Sequence, residues 1–534
     1  MSDAVQRLID SGALEEAARA LDAAPDVRLL LRLAAALQER NRGADALACY
    51  QRILEIDPAN GEALLCLAVL HEDASVDQGR AYMDRYIHAR PRDAAGHLRR
   101  ALMLPAIAQS TEHIDQVTQR LDGELDAILS GRFPPIPQPE FEVGATPFFL
   151  AYYGRNPRPL VAKVARACRS VYPTQTECRR KLFSNGKRLR IGFISAHFYE
   201  HSVGKTLYGF IRDLPRDQYE VLVFALAPRA DEWNARLRSA ADRYTELPLE
   251  VAKAREAIAA ANLDIAFFAD LGMDPVTYFL AYWRLAPLQA ATWGHSVTSG
   301  IDTVDYYVSH DAVEIPNAQE HYTERLIRLP GYFVPRYLKP PLPSPRAARA
   351  RGRRYHCPQN LFKLHPDFDS ALRGILERDA EAQIVLVDSN RPWTGQLDQR
   401  LQRSLGAYAS RVHIAPRMSH AQFLEHLAGA DVVLDPFYFG GWNSSCDAFA
   451  LGVPIVTLPG FLLPGRYTGG LYQEMGVEGA VASSPEDYVD IALRLARDEP
   501  FREQISGRSG RLFDRADSGR ALGAALWEVA ERSR

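Results

Sequence analysis

The sequence predicts an α-helical repeat segment followed by two consecutive doubly wound α/β domains that enclose a cleft. Three observations carry the prediction. Alanine and leucine recur at helical spacing up to about Leu129, punctuated by Pro25, Pro58 and Pro91, which stand 33 residues apart. From Lys187, short β-branched or aromatic runs alternate with helical stretches, the pattern of a parallel sheet covered by helices. The same alternation begins again after the proline-rich stretch LKPPLPSPRAARARGRR, and two such sheets in succession leave a crevice suited to a ligand.

In residues 1–130 the clearest unit is ADALACYQRILEIDPANGEALLCLAVLHE, with small alanines where two helices approach and Pro58 where one must stop. It reads as two or three degenerate tetratricopeptide-type repeats, the alternative being a plain helical bundle. Either arrangement offers a surface for a protein partner. Residues 131–186 form a linker: GRFPPIPQPEFEVGATP carries five prolines and two glycines, which forbid a continuous helix, and FFLAYYGRNPRPLVAKVARACRSVYP returns to helix. Residues 187–335 hold the first α/β domain, with strands in LRIGFISAHF, YEVLVFALA, DIAFFADLG, AATWGH and VDYYVSHD. Residues 336–510 hold the second, with strands in YHCPQNLF, AQIVLVDS, RVHIAPR, ADVVLDPF and VPIVTLPG. The end of the chain, including residues 511–534, is helical and is expected to pack across the sheets.

Charge and cysteine usage narrow the partners. With 63 Lys+Arg against 66 Asp+Glu the net charge is -3, so no overall basic field invites nucleic acid or an anionic membrane. The basic run Arg346 to Arg354 reads as a solvated loop. Six cysteines without CxxC spacing resemble neither a disulfide framework nor a zinc site and point to a reducing compartment. The first residues lack the layout of a signal peptide, and no apolar run approaches the ~20 residues that span a bilayer. A cytoplasmic protein is expected.

The stretch DPFYFGGWNSSCDAFALG, from Asp435, places two glycines, Asn443, Ser444 and Ser445 between an apolar strand and a helix. Such a turn gathers unpaired backbone N–H groups at the positive end of a helix dipole, a site for a diphosphate. Gly440 and Gly441 let backbone approach the anion, and Asp447, one turn inside, suits ribose or sugar hydroxyls. An ordinary capped helix would use the same residues.

Several segments in order from about Arg190 to Gly476 resemble the family of O-linked N-acetylglucosamine transferases, which also holds the plant SPINDLY O-fucosyltransferases. They are IGFISAHFYEHSVGKTL, ADLGMDPVTYFLAYWRLAPLQAATWGHSVTSGIDTVDYYVSHD, HYTERLIRLPG, NLFKLHPDF and RMSHAQFLEHLAGADVVLDPFYFGGWNSSCDAFALGVPIVTLPG. The resemblance implies the GT-B fold, two Rossmann-like domains around a nucleotide-sugar cleft. It implies an inverting transferase without metal or other cofactor, using a UDP-sugar, foremost UDP-GlcNAc, and Ser or Thr of a protein acceptor docked by the repeats.

By the same resemblance Lys363 neutralises the departing diphosphate. His201 lies on the acceptor side as a candidate base or orienting group; His197, four residues earlier, competes on spacing alone. Asp270, closing the strand in DIAFFAD, and His295, in TWGHSVTSG, sit at strand ends expected to face the cleft: Asp270 is a second candidate for the acceptor proton, and His295 and Thr298 are candidates for donor sugar or phosphate. Arg417, Met418 and Phe423 fall in the nucleotide region. Phe423 is either a platform for the base or a helix core residue, and Trp442 either shapes the sugar pocket or points outward. Trp442 and Asn443 depart from the animal enzymes and resemble bacterial members, which leaves the donor open. Protein N-glucosyltransfer, O-fucosyltransfer and a catalytically idle nucleotide-sugar sensor are the alternatives. Asp367 and Asp369 form a DxD pair, a cation-binding pattern in other transferases, but they open a helix, where carboxylates are favoured anyway.

Overall fold

Each of the three spaced prolines sits in the turn between two helices and is followed within two residues by an Asp or Asn that starts the next one. The pairs are Leu14–Ala23 with Val27–Glu39, Gly43–Ile56 with Gly61–Glu72, and Val76–Ala89 with Ala94–Ala101. Asp26, Asn60 and Asp93 accept the N–H groups of Leu29, Ala63 and Ala95 at 3.1, 3.1 and 3.0 Å. Proline ends one helix because it has no N–H to donate; the cap satisfies the free N–H groups of its successor. These contacts come from a computed structural model that describes residues 2–174, 176–177, 181–183, 188–331, 334–342, 352–388 and 390–533. Cys178 and Arg346 to Arg351 of the basic run lie outside the described residues; the other five cysteines are free thiols. No described helix is long and apolar enough to cross a membrane.

The front of the helical segment has its own core, from Val5 to Leu67. Ala94–Ala101 and the long helix Thr111–Ser130 instead bury Leu98, Ile114, Leu121 and Leu125 in the core shared with the sheets. The segment therefore becomes part of the α/β body by its final helices.

Among the described residues, twelve strands form two parallel sheets. The first comprises β1 (Leu189–Ser195), β2 (Tyr219–Leu226), β3 (Arg243–Leu247), β4 (Ile265–Phe268), β5 (Leu288–Thr292), β6 (Tyr306–His310) and β7 (Arg325–Leu329), in the order β3-β2-β1-β4-β5-β6-β7. The second comprises β8 (Arg353–Cys357), β9 (Ala382–Val387), β10 (Val412–Ala415), β11 (Val432–Leu434) and β12 (Ile455–Val456), in the order β10-β9-β8-β11-β12. Both are doubly wound, and in each the direction of winding reverses between the first strand and its fourth, β1 beside β4 and β8 beside β11. Loops diverge at that reversal and open a crevice at the carboxyl ends of the strands. Two strands that the sequence pattern does not predict, β3 and β7, are the edges of the first sheet; RYTEL and RLIRL are only partly buried, with one fully buried residue each, and lack the uninterrupted apolar run that marks a central strand.

The last helix, Asp517–Arg532, crosses back to the first domain. Gly519 and Gly523 bring it close: a Cβ on Gly519 would lie 2.6 Å from Asp213 Cβ, and Tyr219 donates its hydroxyl to Gly523 O at 2.6 Å.

The helical segment docks on the second domain through Gln396 to Asp73 O (2.7 Å), Arg400 to Ala108 O (2.8 Å) and Thr111 to Asp367 (3.0 Å). Both carboxylates of the DxD pair serve this joint. Asp367 accepts from Thr111 and from the Tyr438 hydroxyl (2.6 Å); Asp369 pairs with the buried Arg400 through both oxygens, at 3.1 and 2.9 Å. Asp369→Ala leaves that guanidinium buried without a counter-charge and is expected to cost about 3–5 kcal/mol, read as a lower urea midpoint.

Candidate active site

The glycine-rich loop is folded around a carboxylate. Asp435, buried just past β11, accepts the Gly441 N–H at 2.7 Å and the Thr457 hydroxyl at 2.9 Å. A Cβ on Gly440 would lie 2.6 Å from Asp435 Oδ2; one on Gly441 would collide with Gln359 Nε2 and lie 2.5 Å from Ser444 Oγ. Close approach, not unusual backbone angles, demands both glycines. The helix that follows, Asn443–Ala450, has Trp442 at its N-cap, and among the described residues no side chain caps its first N–H groups. Ser444 is engaged by Gln359 (2.5 Å), and Ser445 donates to Gly441 O (3.0 Å). The uncapped, positive end of this helix borders the cleft at Asn443 and Ser444, a place for an anion.

Lys363 ends a single turn, Leu361–Lys363, after β8. Its Nζ donates to Gln359 Oε1 at 2.9 Å and to Gly440 O at 3.3 Å, and lies 4.7 Å over the Phe439 ring. Burial pushes its pKa down to about 8, against the opposing pull of Asp435. A cation is thus held beside the glycine loop without a carboxylate bonded to it.

A second helix, Ser202–Asp213, presents its N-terminus from the first domain. Thr206 donates to Asn443 Oδ1 (3.0 Å) and Asn443 Nδ2 to Ser202 O (3.1 Å), so two helix starts meet across the cleft. His201 caps the first of them, its Nδ1 accepting the Val203 N–H at 3.2 Å. That bond leaves the proton of the neutral ring on Nε2, and burial together with neighbouring His197 pushes the His201 pKa down to about 3. His201 is therefore a hydrogen-bond donor at neutral pH and a weak base. The His197 ring is 4.4 Å from it, centroid to centroid.

The cleft has a volume of about 980 Å³. Lys363, His201, Gly440, Trp442, Asn443, Ser444, Asp447, Arg417, Met418 and Phe423 all line it. Trp442 packs edge-on against Tyr467, 5.5 Å between ring centroids, at the domain junction. His420, passed over in the sequence reading, also lines the wall: its Nε2 is 2.9 Å from Asp447 Oδ2 and its ring stacks on Phe423 at 6.3 Å. Its signal was the SHAQ capping box, which fixes His420 at the first turn of a helix starting at the cleft.

Five expected site residues stand behind the wall. Gly441 and Ser445 shape the loop from beneath. Thr298 donates to Glu324 (2.5 Å), and His295 is stacked under Phe148 at 5.3 Å, where burial pushes its pKa down to about 4. Asp270 is fully buried past β4; its Oδ2 takes Ser195 Oγ (2.8 Å), the Ala196 N–H (3.2 Å) and His197 Nδ1 (2.5 Å). A strand-end position does not by itself expose a side chain: the loop after β1 folds over Asp270 and covers it.

The family model "Glycosyl transferase family 41" matches residues 162–337 and 355–518, more than half of the chain. Among curated proteins, the chain is 25% identical over 338 residues to the "Probable UDP-N-acetylglucosamine--peptide N-acetylglucosaminyltransferase SPINDLY" of Solanum lycopersicum, covering 58% of this chain and 34% of that one. It is 29% identical over 251 residues to the "UDP-glucose:protein N-beta-glucosyltransferase" of Actinobacillus pleuropneumoniae, covering 45% and 39%. The chain thus spans little more than a third of the length of these relatives. Among solved structures, an O-GlcNAc transferase of Thermobaculum terrenum, in a lysine-to-methionine mutant, superposes with a TM-score of 0.72 at 25% identity over 95% of this chain and 97% of that one.

Proposed function

Because the chain belongs to glycosyl transferase family 41, we propose that it transfers a sugar from a nucleotide diphosphate, foremost GlcNAc from UDP-GlcNAc, to Ser or Thr of a protein in the cytoplasm. The observation that carries the reading is Lys363: a half-buried cation at the carboxyl end of β8, beside an uncapped helix start, in the crevice where two doubly wound sheets face each other. When the bond between the anomeric carbon and the β-phosphate oxygen breaks, its electron pair leaves with the diphosphate. A fixed ammonium and backbone N–H groups in a site of low polarity stabilise that charge without reorganising. They perform the task a divalent ion performs elsewhere, so transfer is expected to persist in EDTA. Asp447, held by His420, suits the ribose hydroxyls, and attack from the opposite side by the acceptor oxygen gives inversion. The helical segment offers the acceptor protein a surface continuous with the α/β body.

The pH profile tests the role of Lys363. Its amine is charged below about 8 and loses its charge as pH rises through that value. The kcat/KM for donor is expected to fall on the alkaline side near pH 8, while the limb in kcat lies higher, because bound diphosphate favours the charged form.

Likeness to the N-glucosyltransferase, 29% identical over its matched region, favours a second reading, transfer of glucose to Asn. Calorimetric titration with UDP-GlcNAc, UDP-glucose, UDP-galactose and GDP-fucose separates the donors: tightest binding of UDP-GlcNAc supports the first reading, of UDP-glucose the second. No binding of any of the four contradicts both.

A further inference from the structure

The first α/β domain contains an imidazole–carboxylate pair that no motif in the sequence joins. His197 and Asp270 are separated along the chain, yet β1 and β4 are neighbours in the sheet and their loops bring the two together. Asp270 Oδ2 is 2.5 Å from His197 Nδ1, and its position is fixed by Ser195 Oγ and the Ala196 N–H. The Ser195 hydroxyl in turn accepts the His197 N–H at 2.8 Å, so both the ring and its backbone are anchored. The carboxylate is fully buried, whereas the imidazole borders the cleft with 18% of its side chain exposed. With Nδ1 donating to Asp270, the nitrogen on the opposite edge, Nε2, has a free lone pair. Among the described residues no protein group is bonded to it.

We propose that His197 is the proton acceptor of the transfer and that Asp270 is its positioning residue, while His201 acts as a hydrogen-bond donor. The proposal rests on the glycosyl-transfer reading and adds to it the path of the proton. The acceptor O–H gives its proton to His197 Nε2; the oxygen forms the bond to the anomeric carbon; the bond to the β-phosphate oxygen breaks and its electron pair leaves with the diphosphate. Asp270 stabilises the imidazolium that results and keeps Nε2 turned to the cleft, the division of labour that an orienting carboxylate gives a base in acyl transfer. His201 is unsuited to the same task because its own Nδ1 accepts the Val203 N–H, which leaves Nε2 protonated.

The charges facing His197 agree. Burial alone would lower its pKa, but the hydrogen bond and charge of Asp270, with Asp274 further off, outweigh burial and the opposing Arg229, and the net shift is upward. The His201 ring at 4.4 Å and the Tyr199 ring at 6.0 Å also flank it. A protonated His197 further disfavours a proton on His201, so the pair accepts one proton, on His197.

The test is steady-state transfer against pH for the wild type, His197→Gln, Asp270→Asn and His201→Gln, with nucleotide binding measured on each to show that the site is intact. His197→Gln is expected to lower kcat about 100-fold or more, leave donor KM within about threefold, and abolish the acidic limb of kcat/KM. Asp270→Asn is expected to lower kcat and move that limb to lower pH, because the imidazole loses the carboxylate that raises its pKa. His201→Gln keeps the limb. A His197→Gln enzyme with kcat near wild type, or a limb that disappears only with His201→Gln, overturns the proposal. If the wild type transfers no sugar from any donor, the glycosyl-transfer reading fails, and the role of His197 as its base fails with it. Nuclear magnetic resonance titration of the His197 ring then isolates the pair itself: a pKa that falls in Asp270→Asn upholds the dyad, and one that does not refutes it.

Discussion

Replacing Lys363 with alanine is expected to lower kcat roughly 100- to 1,000-fold, the scale at which loss of one preorganised donor to a developing anion is felt. The loss falls mainly on kcat because the negative charge grows as the diphosphate departs. Before departure the uncapped helix start still holds the phosphates, so the dissociation constant of the free nucleotide is expected to rise by no more than about tenfold. Arginine is not expected to restore the rate. Nζ occupies a space bounded by Gln359 Oε1, Gly440 O and the Phe439 ring, and a planar guanidinium does not fit a site built for a compact ammonium. Measurement of kcat and nucleotide binding on the same preparations separates the two effects. A Lys363→Ala enzyme within about fivefold of the wild type would remove the principal observation behind the transferase reading.

Gly441→Ala tests the other half of the anion site. The added methyl would meet Gln359 Nε2, Ser444 Oγ and Ser445 Oγ, three groups that define the floor of the loop. Ser445 cannot retreat without breaking its bond to Gly441 O, and Gln359 is also the partner of Lys363. The loop must shift at the point where backbone and cation meet the diphosphate, and nucleotide affinity is expected to fall about 100-fold, close to 3 kcal/mol. Calorimetric titration with UDP reads it directly. Unchanged affinity would place the diphosphate elsewhere in the cleft.

The architecture was legible where the chemistry of the chain is local. In the second sheet the runs YHCPQNLF, AQIVLVDS, RVHIAPR, ADVVLDPF and VPIVTLPG each overlap an observed strand, because each is a short stretch rich in apolar or aromatic residues closed by turn residues. The helical segment was legible from three prolines because the residues after them are caps. In the first sheet the central strands are legible and the two edges are not: Arg243, Glu246 and Arg325 are exposed, and an edge strand needs no second apolar face.

At the site, the sequence made Lys363 and the GGWNSS turn recognisable because each lies within a few residues of the strand that positions it. The stretch from Asp435 to Gly460 is built as it is because the glycines let the backbone pack on Asp435 and Gln359, and the helix that follows begins without a side-chain cap. The partnership of His197 with Asp270 was invisible, since it depends on which strands are neighbours in the sheet. For the same reason Asp270, His295 and Thr298 were expected at the cleft: each follows a strand, but the folding of one loop over another decides what is covered.

Transfer of a sugar in this cleft from a nucleotide to a protein side chain is read out by peptide mass spectrometry of host lysate proteins incubated with UDP-GlcNAc and the purified chain, beside Lys363→Ala. A GlcNAc increment localised to Ser or Thr, absent with the variant, is the expected result. An unmodified acceptor pool despite tight nucleotide binding, or an increment that persists undiminished with Lys363→Ala, would contradict it.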